Sequence, residues 1–262
     1  MHYFKTWQHK LLVTISLIFI ALSLSGGFDT PSRNVLNNAF KQAVTVFATA
    51  KALNGVISLA QGTEIGPPGI TVAVGEVLDP INDLVEQFSW VMLASITSLG
   101  VQIIFMDIVT HPFFNFLLVV MIVGVNFWII SRYQQHTKVH ETLVRLTLVM
   151  IFLRLSIPLM ALSSELIYTQ VIQNEYNIVS LDQEMTQITQ KVENINSSNS
   201  TYSGLSKFFS QEYYNALTTQ YKAAANQTSD AIVRLIIAFA FQSIIFPLLF
   251  LFLFYKLMVR TL

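Results

Sequence analysis

The stretch IVRLIIAFAFQSIIFPLLFLFLFY, residues 232–255, decides the fold class. It carries a single charge, Arg234, and about 20 apolar residues in a helix suffice to cross the roughly 30 Å hydrocarbon core of a bilayer. A helix over residues 231–255 is therefore expected to span a membrane, with Lys256 and Arg260 just beyond it. Composition agrees. The chain of 262 residues is 53% hydrophobic and only 11% charged, against the ~25% charge of soluble domains. Fifteen basic and 15 acidic side chains are too few to coat a soluble globule of this size.

Working outward, residues 113–131 form an uncharged span that opens after Pro112 and places Trp128 near its end, where interfacial aromatics collect. Residues 143–166 form another, with Arg154 inside it. Residues 11–26 follow Lys5 and Lys10 and have the length of a signal peptide, but Ser23, Leu24 and Ser25 do not make a small-residue cleavage site. We read residues 1–26 as a signal anchor. Residues 91–109 are long enough to cross, yet Ser95, Thr97, Ser98, Gly100, Gln102 and Asp107 interrupt them.

Lys and Arg cluster in three short segments: Lys5 and Lys10; Arg132, Lys138 and Arg145 in the loop 132–145; Lys256 and Arg260. Residues 27–88 and 167–230 each hold three basic against six acidic residues. Short basic segments stay in the cytoplasm, and they share that side only if 91–109 does not cross. The expected fold is an all-α polytopic membrane protein with four transmembrane helices and one embedded, non-crossing helix, five transmembrane helices being the alternative. It divides into the anchor 1–26, a first exported region 27–90, membrane helices 91–166, a second exported region 167–230, and the last span with its tail, 231–262.

The second exported region carries a heptad. Ile167, Val171, Asn174, Ile178, Leu181, Met185, Ile188, Val192 and Ile195 follow 4-3 spacing, the signature of a coiled coil. Asn174 is its one polar seam position, a candidate for setting register or oligomer state. NSSNSTYSG, residues 196–204, has the composition of a turn, and Leu205, Phe209, Tyr213, Ala216, Tyr221 and Ala224 lead back to the last span. The expectation is an exported antiparallel helical hairpin, with pairing between protomers as its rival. In the first exported region, Thr30-Pro31 and Asp79-Pro80 start helices by capping logic. Between them GPPG at residues 66–69 breaks the chain and ITVAV, 70–74, has the alternation of a short strand. Residues 33–60 read as an amphipathic helix rich in Ala and Val, and Lys41 and Lys51 argue against its crossing a membrane.

Arg154 is the most informative single residue. It lies about 13.5 Å along the helix from Arg145, near the expected midplane, where a charge must face the bundle and find a partner. Asp107 and Gln242 are the candidates, completing an intramembrane polar site. Pro158 removes the hydrogen bond to the Arg154 carbonyl and Pro247 that to Ser243, so both are expected to kink their helices. A structural salt bridge explains Arg154 as readily as an anion site does. His136 and His140 have metal spacing but no third ligand, and His111 beside Pro112 suits a turn. The N-x-S/T patterns at Asn196, Asn199 and Asn226 are expected by chance in a chain this rich in Asn, Ser and Thr.

With no Cys, disulfides, thiol chemistry and thiolate metal sites are absent. No P-loop, G-x-S-x-G, dinucleotide fingerprint or paired carboxylates appear, so neither enzyme nor cofactor is expected, and zero net charge gives no pull toward nucleic acid. In outline the chain resembles tetraspan membrane proteins, but tetraspanins, claudins and connexins rely on extracellular cysteines. The expected role is an interaction or scaffold subunit of a bacterial cytoplasmic (inner) membrane. Its partners are the lipid bilayer and either further copies of the chain or another membrane or periplasmic protein. The alternative is an oligomeric channel or small transporter built on Arg154.

Overall fold

A computed structural model describes residues 2–61, 64–65, 72–73, 78–130, 138–201 and 211–261. Almost all of them are helical. The order is α1 (His2–Ser25), α2 (Asp29–Gln61), β1 (Glu64–Ile65), β2 (Val72–Ala73), α3 (Asp79–Thr110), α4 (Pro112–Ile130) and α5 (Lys138–Ile167). A π-helical segment (Tyr168–Ile172) follows, then α6 (Ile178–Thr201), α7 (Gln211–Ala240), a second π-helical segment (Phe241–Ile245) and α8 (Phe246–Thr261). The two strands pair antiparallel, Glu64 with Ala73 and Ile65 with Val72. GPPG, most of ITVAV, His136, Leu205 and Phe209 lie outside the described residues.

Helix starts follow capping chemistry. Asp29 opens α2 and Asp79 opens α3, within a residue of the expected Thr30 and at the expected Asp79. Gly26 ends α1 with φ of 64°, the left-handed conformation that glycine adopts without a Cβ clash. The chain turns there, and the Asp29 amide donates to the Gly26 carbonyl at 3.0 Å.

The long helices bury one stripe each with a period of 3.5 residues. On α2 it runs Ser32, Leu36, Ala39, Ala43, Val46, Ala50, Leu53, Ile57 and Ala60; on α3, Ile81, Val85, Phe88, Met92, Ser95, Leu99, Gln102, Met106 and Val109. On α7 it runs Leu217, Tyr221, Ala224, Thr228, Ala231, Leu235 and Ala238, and Gln242 follows at the same spacing. Strict 4-3 spacing is the geometry of knobs-into-holes packing and left-handed supercoiling. The sequence displayed this period openly only in residues 167–195.

That heptad is corrected in its first turns. The chain leaves helical geometry at Gln173–Glu175, and Asn174 is exposed in this turn rather than set in a seam. Asn177 then caps α6, its Oδ1 accepting the amides of Val179 and Ser180 at 3.1 and 3.2 Å. The buried seam begins at Ile178 and continues through Leu181, Met185, Ile188 and Val192. It packs against α7. Asn196, late in α6, accepts from the Tyr221 hydroxyl at 2.7 Å, whereas Ser180 to Lys191 share a groove with the later Gln227, so the two helices are antiparallel. α6 also runs on to Thr201, through most of the stretch expected to turn.

Among the described residues, four helical stretches are long and apolar enough to cross a membrane: Asp29–Gln61, Asp79–Thr110, Glu141–Ile172 and Asn215–Leu257. They point to a multi-pass membrane protein. The number equals the expected four, but the membership differs, because α2 and α3 qualify while Val13–Ser23 and Pro112–Trp128 are shorter apolar helices. On α2 the buried stripe is mostly apolar, and the outer face mixes Asn34, Lys41, Thr45, Lys51 and Ser58 with exposed apolar residues such as Val44 and Leu59.

The chain forms two compact units, each discontinuous in sequence: residues 1–38, 99–166 and 246–262 make the first, residues 39–98 and 167–245 the second. Within the first unit, Leu36, Met106, Val109, Ile157 and Ala161 form one core cluster, and Leu118, Ile122 and Met150 another. Phe152, Phe250 and Phe254 stack between α5 and α8, with centroids 5.2 and 5.7 Å apart. Within the second unit, Tyr221, Phe88, Leu53, Met92 and Met185 are among the largest fully buried side chains.

Candidate functional site: a polar junction around Arg154

Arg154 occupies a seam position of α5, between Met150 and Ile157 in the 3-4 sequence that begins at Thr147. Its side chain is 5% exposed. The guanidinium meets three helix ends. At the end of α1, Nη2 donates to the Ser23 carbonyl at 3.0 Å and Nε to the Ser23 hydroxyl at 3.1 Å. At the start of α2, Nη1 and Nη2 reach the two carboxylate oxygens of Asp29 at 2.8 and 2.7 Å, a bidentate pair. In the first turn of α4, Asn115 Oδ1 accepts from Nε at 3.0 Å.

These partners answer a local need. A helix C-terminus leaves carbonyls without intrahelical donors and carries partial negative charge; an N-terminus does the reverse. The cation therefore caps α1, and the Asp29 carboxylate suits the first turn of α2. The turn at Gly26 brings Ser23 and Asp29 to the same guanidinium. Arg154 thus lies level with the end of α1 and the start of α4.

Of the expected partners of Arg154, Asp107 is engaged elsewhere. Asp107 pairs with Arg33, whose Nη2 also donates to the Thr110 hydroxyl at 3.1 Å. The Asn115 amide nitrogen donates to the Thr110 carbonyl at 3.2 Å, so Asn115 and Thr110 link the two ion pairs. Gln242 belongs to the second unit and is buried in its π-helical segment. The carboxylate on Arg154 is thus Asp29, not Asp107. His111 accepts the Phe113 amide through Nδ1 at 3.2 Å, a cap at the start of α4.

Pro158 lies inside a continuous α5, and its carbonyl is 3.2 Å from the buried Ser32 hydroxyl. Pro247 stands in the first turn of α8, directly after the second π-helical segment. The Ser243 carbonyl, which Pro247 cannot serve, accepts the Ser98 hydroxyl at 2.6 Å. A side chain from α3 thereby fills the vacancy that proline creates.

Chemically, four of the five guanidinium N–H groups donate within the junction, and Asp29 neutralises the charge. A cavity of about 110 Å³ adjoins it, lined mainly by Phe19, Leu22, Phe28, Leu155, Pro158 and Leu159. The arrangement locks helix ends together and leaves little donor capacity for an anion. Among the described residues no three His, Asp or Glu side chains gather as a metal site. Sequence reasoning missed Asp29, whose only local signal was its place before Thr30-Pro31; its ion-pair partner is 125 residues away. No protein-family model, curated protein or solved structure matches the chain.

Proposed function

We propose that this chain is a non-enzymatic interaction or scaffold subunit of a bacterial cytoplasmic membrane, its first unit lying in the bilayer and residues 167–230 forming a helical hairpin exposed on the exported side. The contrast between the two surfaces carries this reading. Of the large apolar side chains that are exposed among the described residues, twenty-five belong to the first unit and nine to the second. Lipid is the solvent that tolerates the first kind of surface. Charge divides in the same way: the first unit holds nine basic and four acidic residues, the second six and eleven. All three short basic segments, Lys5 with Lys10, Arg132 to Arg145, and Lys256 with Arg260, belong to the first unit, as the positive-inside rule expects of the unit that carries the cytoplasmic loops. The saturated Arg154 junction favours a structural role over a conducting one.

Single cysteines in this Cys-free chain test the arrangement. A membrane-impermeant maleimide should label Glu184→Cys in intact cells and Lys256→Cys only after permeabilisation. The opposite pattern would overturn the placement. In liposomes the purified protein should support no ion flux, and deleting residues 175–225 should release a copurifying partner. Flux abolished by an Arg154 substitution would replace the scaffold with a channel.

A further inference from the structure

The first unit is apolar over most of its surface but not along α2. There the outward positions are Thr30, Asn34 and Asn38, exposed, with Arg33 and Asn37 between them partly buried. Asp107 of α3 stands beside this strip, paired to Arg33, with side-chain exposures of 43% for Arg33 and 52% for Asp107. Its neighbours Ile104, Phe105 and Ile108 on α3 are exposed apolar residues. Acyl chains offer a half-exposed ion pair and three amides nothing to bond with. Ionisable groups at such depth face protein or a water-filled cavity.

We propose that this strip is a homotypic interface, covered in the membrane by the same strip of a second copy. The inference rests on the membrane placement of the first unit proposed above. The occupant follows from the chemistry of the patch. A two-fold interface sets one surface against itself, so the surface must be self-complementary. This one carries a cation and an anion side by side, and each Asn amide both donates and accepts. Arg33 of either copy can meet Asp107 or an Asn carbonyl of the other, and no charge is left without its opposite. The internal pair of Arg33 with Asp107 and Thr110 holds the guanidinium in place beforehand, which lowers the cost of ordering it on association. A foreign acidic or basic partner would match only half of such a surface.

Asn34→Cys and Asn38→Cys, each alone, are to be treated in native membranes with bismaleimides of two lengths, and Val120→Cys on the exposed apolar face of α4 serves as control. Species of twice the monomer mass are expected from Asn34→Cys and Asn38→Cys and not from Val120→Cys. Arg33→Glu should cut the cross-linked fraction at least five-fold, and adding Asp107→Arg should restore it. Two outcomes overturn the interface. If neither Asn position cross-links but an impermeant maleimide reaches both, the strip faces water. If neither cross-links and neither is labelled, a different protein covers it. The placement of the first unit is read separately: Val120→Cys should react with a lipid-soluble maleimide and not with the impermeant one. Labelling of Val120→Cys by the impermeant reagent would remove that placement, while cross-linking at Asn34 would still stand as evidence of association.

Discussion

The two units use the same packing period and differ in what interrupts it. In the second unit the α6 seam from Ile178 to Val192 is wholly apolar, and it meets a stripe on α7 broken only by Thr228 before Gln242. In the first unit the seam of α5 contains Arg154, held by Ser23, Asp29 and Asn115. A polar group in a seam lowers stability but specifies register, because only one alignment satisfies it. The second unit gains its stability from buried hydrocarbon, and the first gains its specificity from a junction that tolerates one arrangement of helix ends.

The largest expected effect tests the junction. Arg154→Met leaves Asp29, 17% exposed, without its cation, and should cost about 3–5 kcal/mol, read as a lowered midpoint of thermal unfolding in detergent. The double variant Arg154→Met with Asp29→Leu should recover most of that loss, since an apolar replacement of a buried pair is often close to neutral. An unchanged midpoint for the single variant would sink the idea that the junction holds the first unit.

The matching change in the second unit is Met185→Ala. Met185 is fully buried, and its truncation should cost about 2–5 kcal/mol, with faster proteolysis of α6 and α7 as the readout. Here no second substitution of a polar partner should rescue, because none is involved. Rescue of that kind would erase the contrast between the units.

Smaller effects sharpen it. Gly26→Ala forces an L side chain into a φ of 64° and should lower stability by about 1–2 kcal/mol, since the turn that aligns Ser23 with Asp29 depends on it. Asn174→Leu should change stability by no more than about 0.5 kcal/mol, because the residue is exposed in a turn. A larger loss at Asn174 would return it to a seam.

Much of the helical architecture was legible. Asp79-Pro80 and Thr30-Pro31 marked helix starts to within a residue, and the apolar runs gave α4 and α5. The α6 seam was visible because its apolar residues stand against Gln, Glu, Asn and Thr. On α2 the heptad was less legible because small residues, Ser32, Ala39, Ala43, Ala50 and Ala60, make up over half of its stripe, and on α3 because apolar residues cover the outer face as well. The heptad was read too far back for an instructive reason: Ile167 and Val171 fit the spacing, but Asn177 carried a capping signal that outweighs periodicity. The buried residue there is Tyr168, whose hydroxyl takes the Ile178 amide at 3.2 Å. The partner of Arg154 was illegible on physical grounds. Charge and depth restrict a partner to a layer, and only the tertiary path of α1, the Gly26 turn and α2 selects Asp29 over Asp107 within it.

The separation of Arg154 from Asp29 also sets an order of events during synthesis. The two are 125 residues apart, and at ~5–20 residues per second a ribosome takes roughly 6–25 s to make the stretch between them. Through that interval α1 and α2 exist with the Ser23 carbonyl and the Asp29 carboxylate unclaimed, so the nascent elbow waits in a half-made state. Completion of α5 is the moment at which the first unit can close, and a chain stalled before Arg154 presents those two groups to whatever insertion or quality-control factor is nearby.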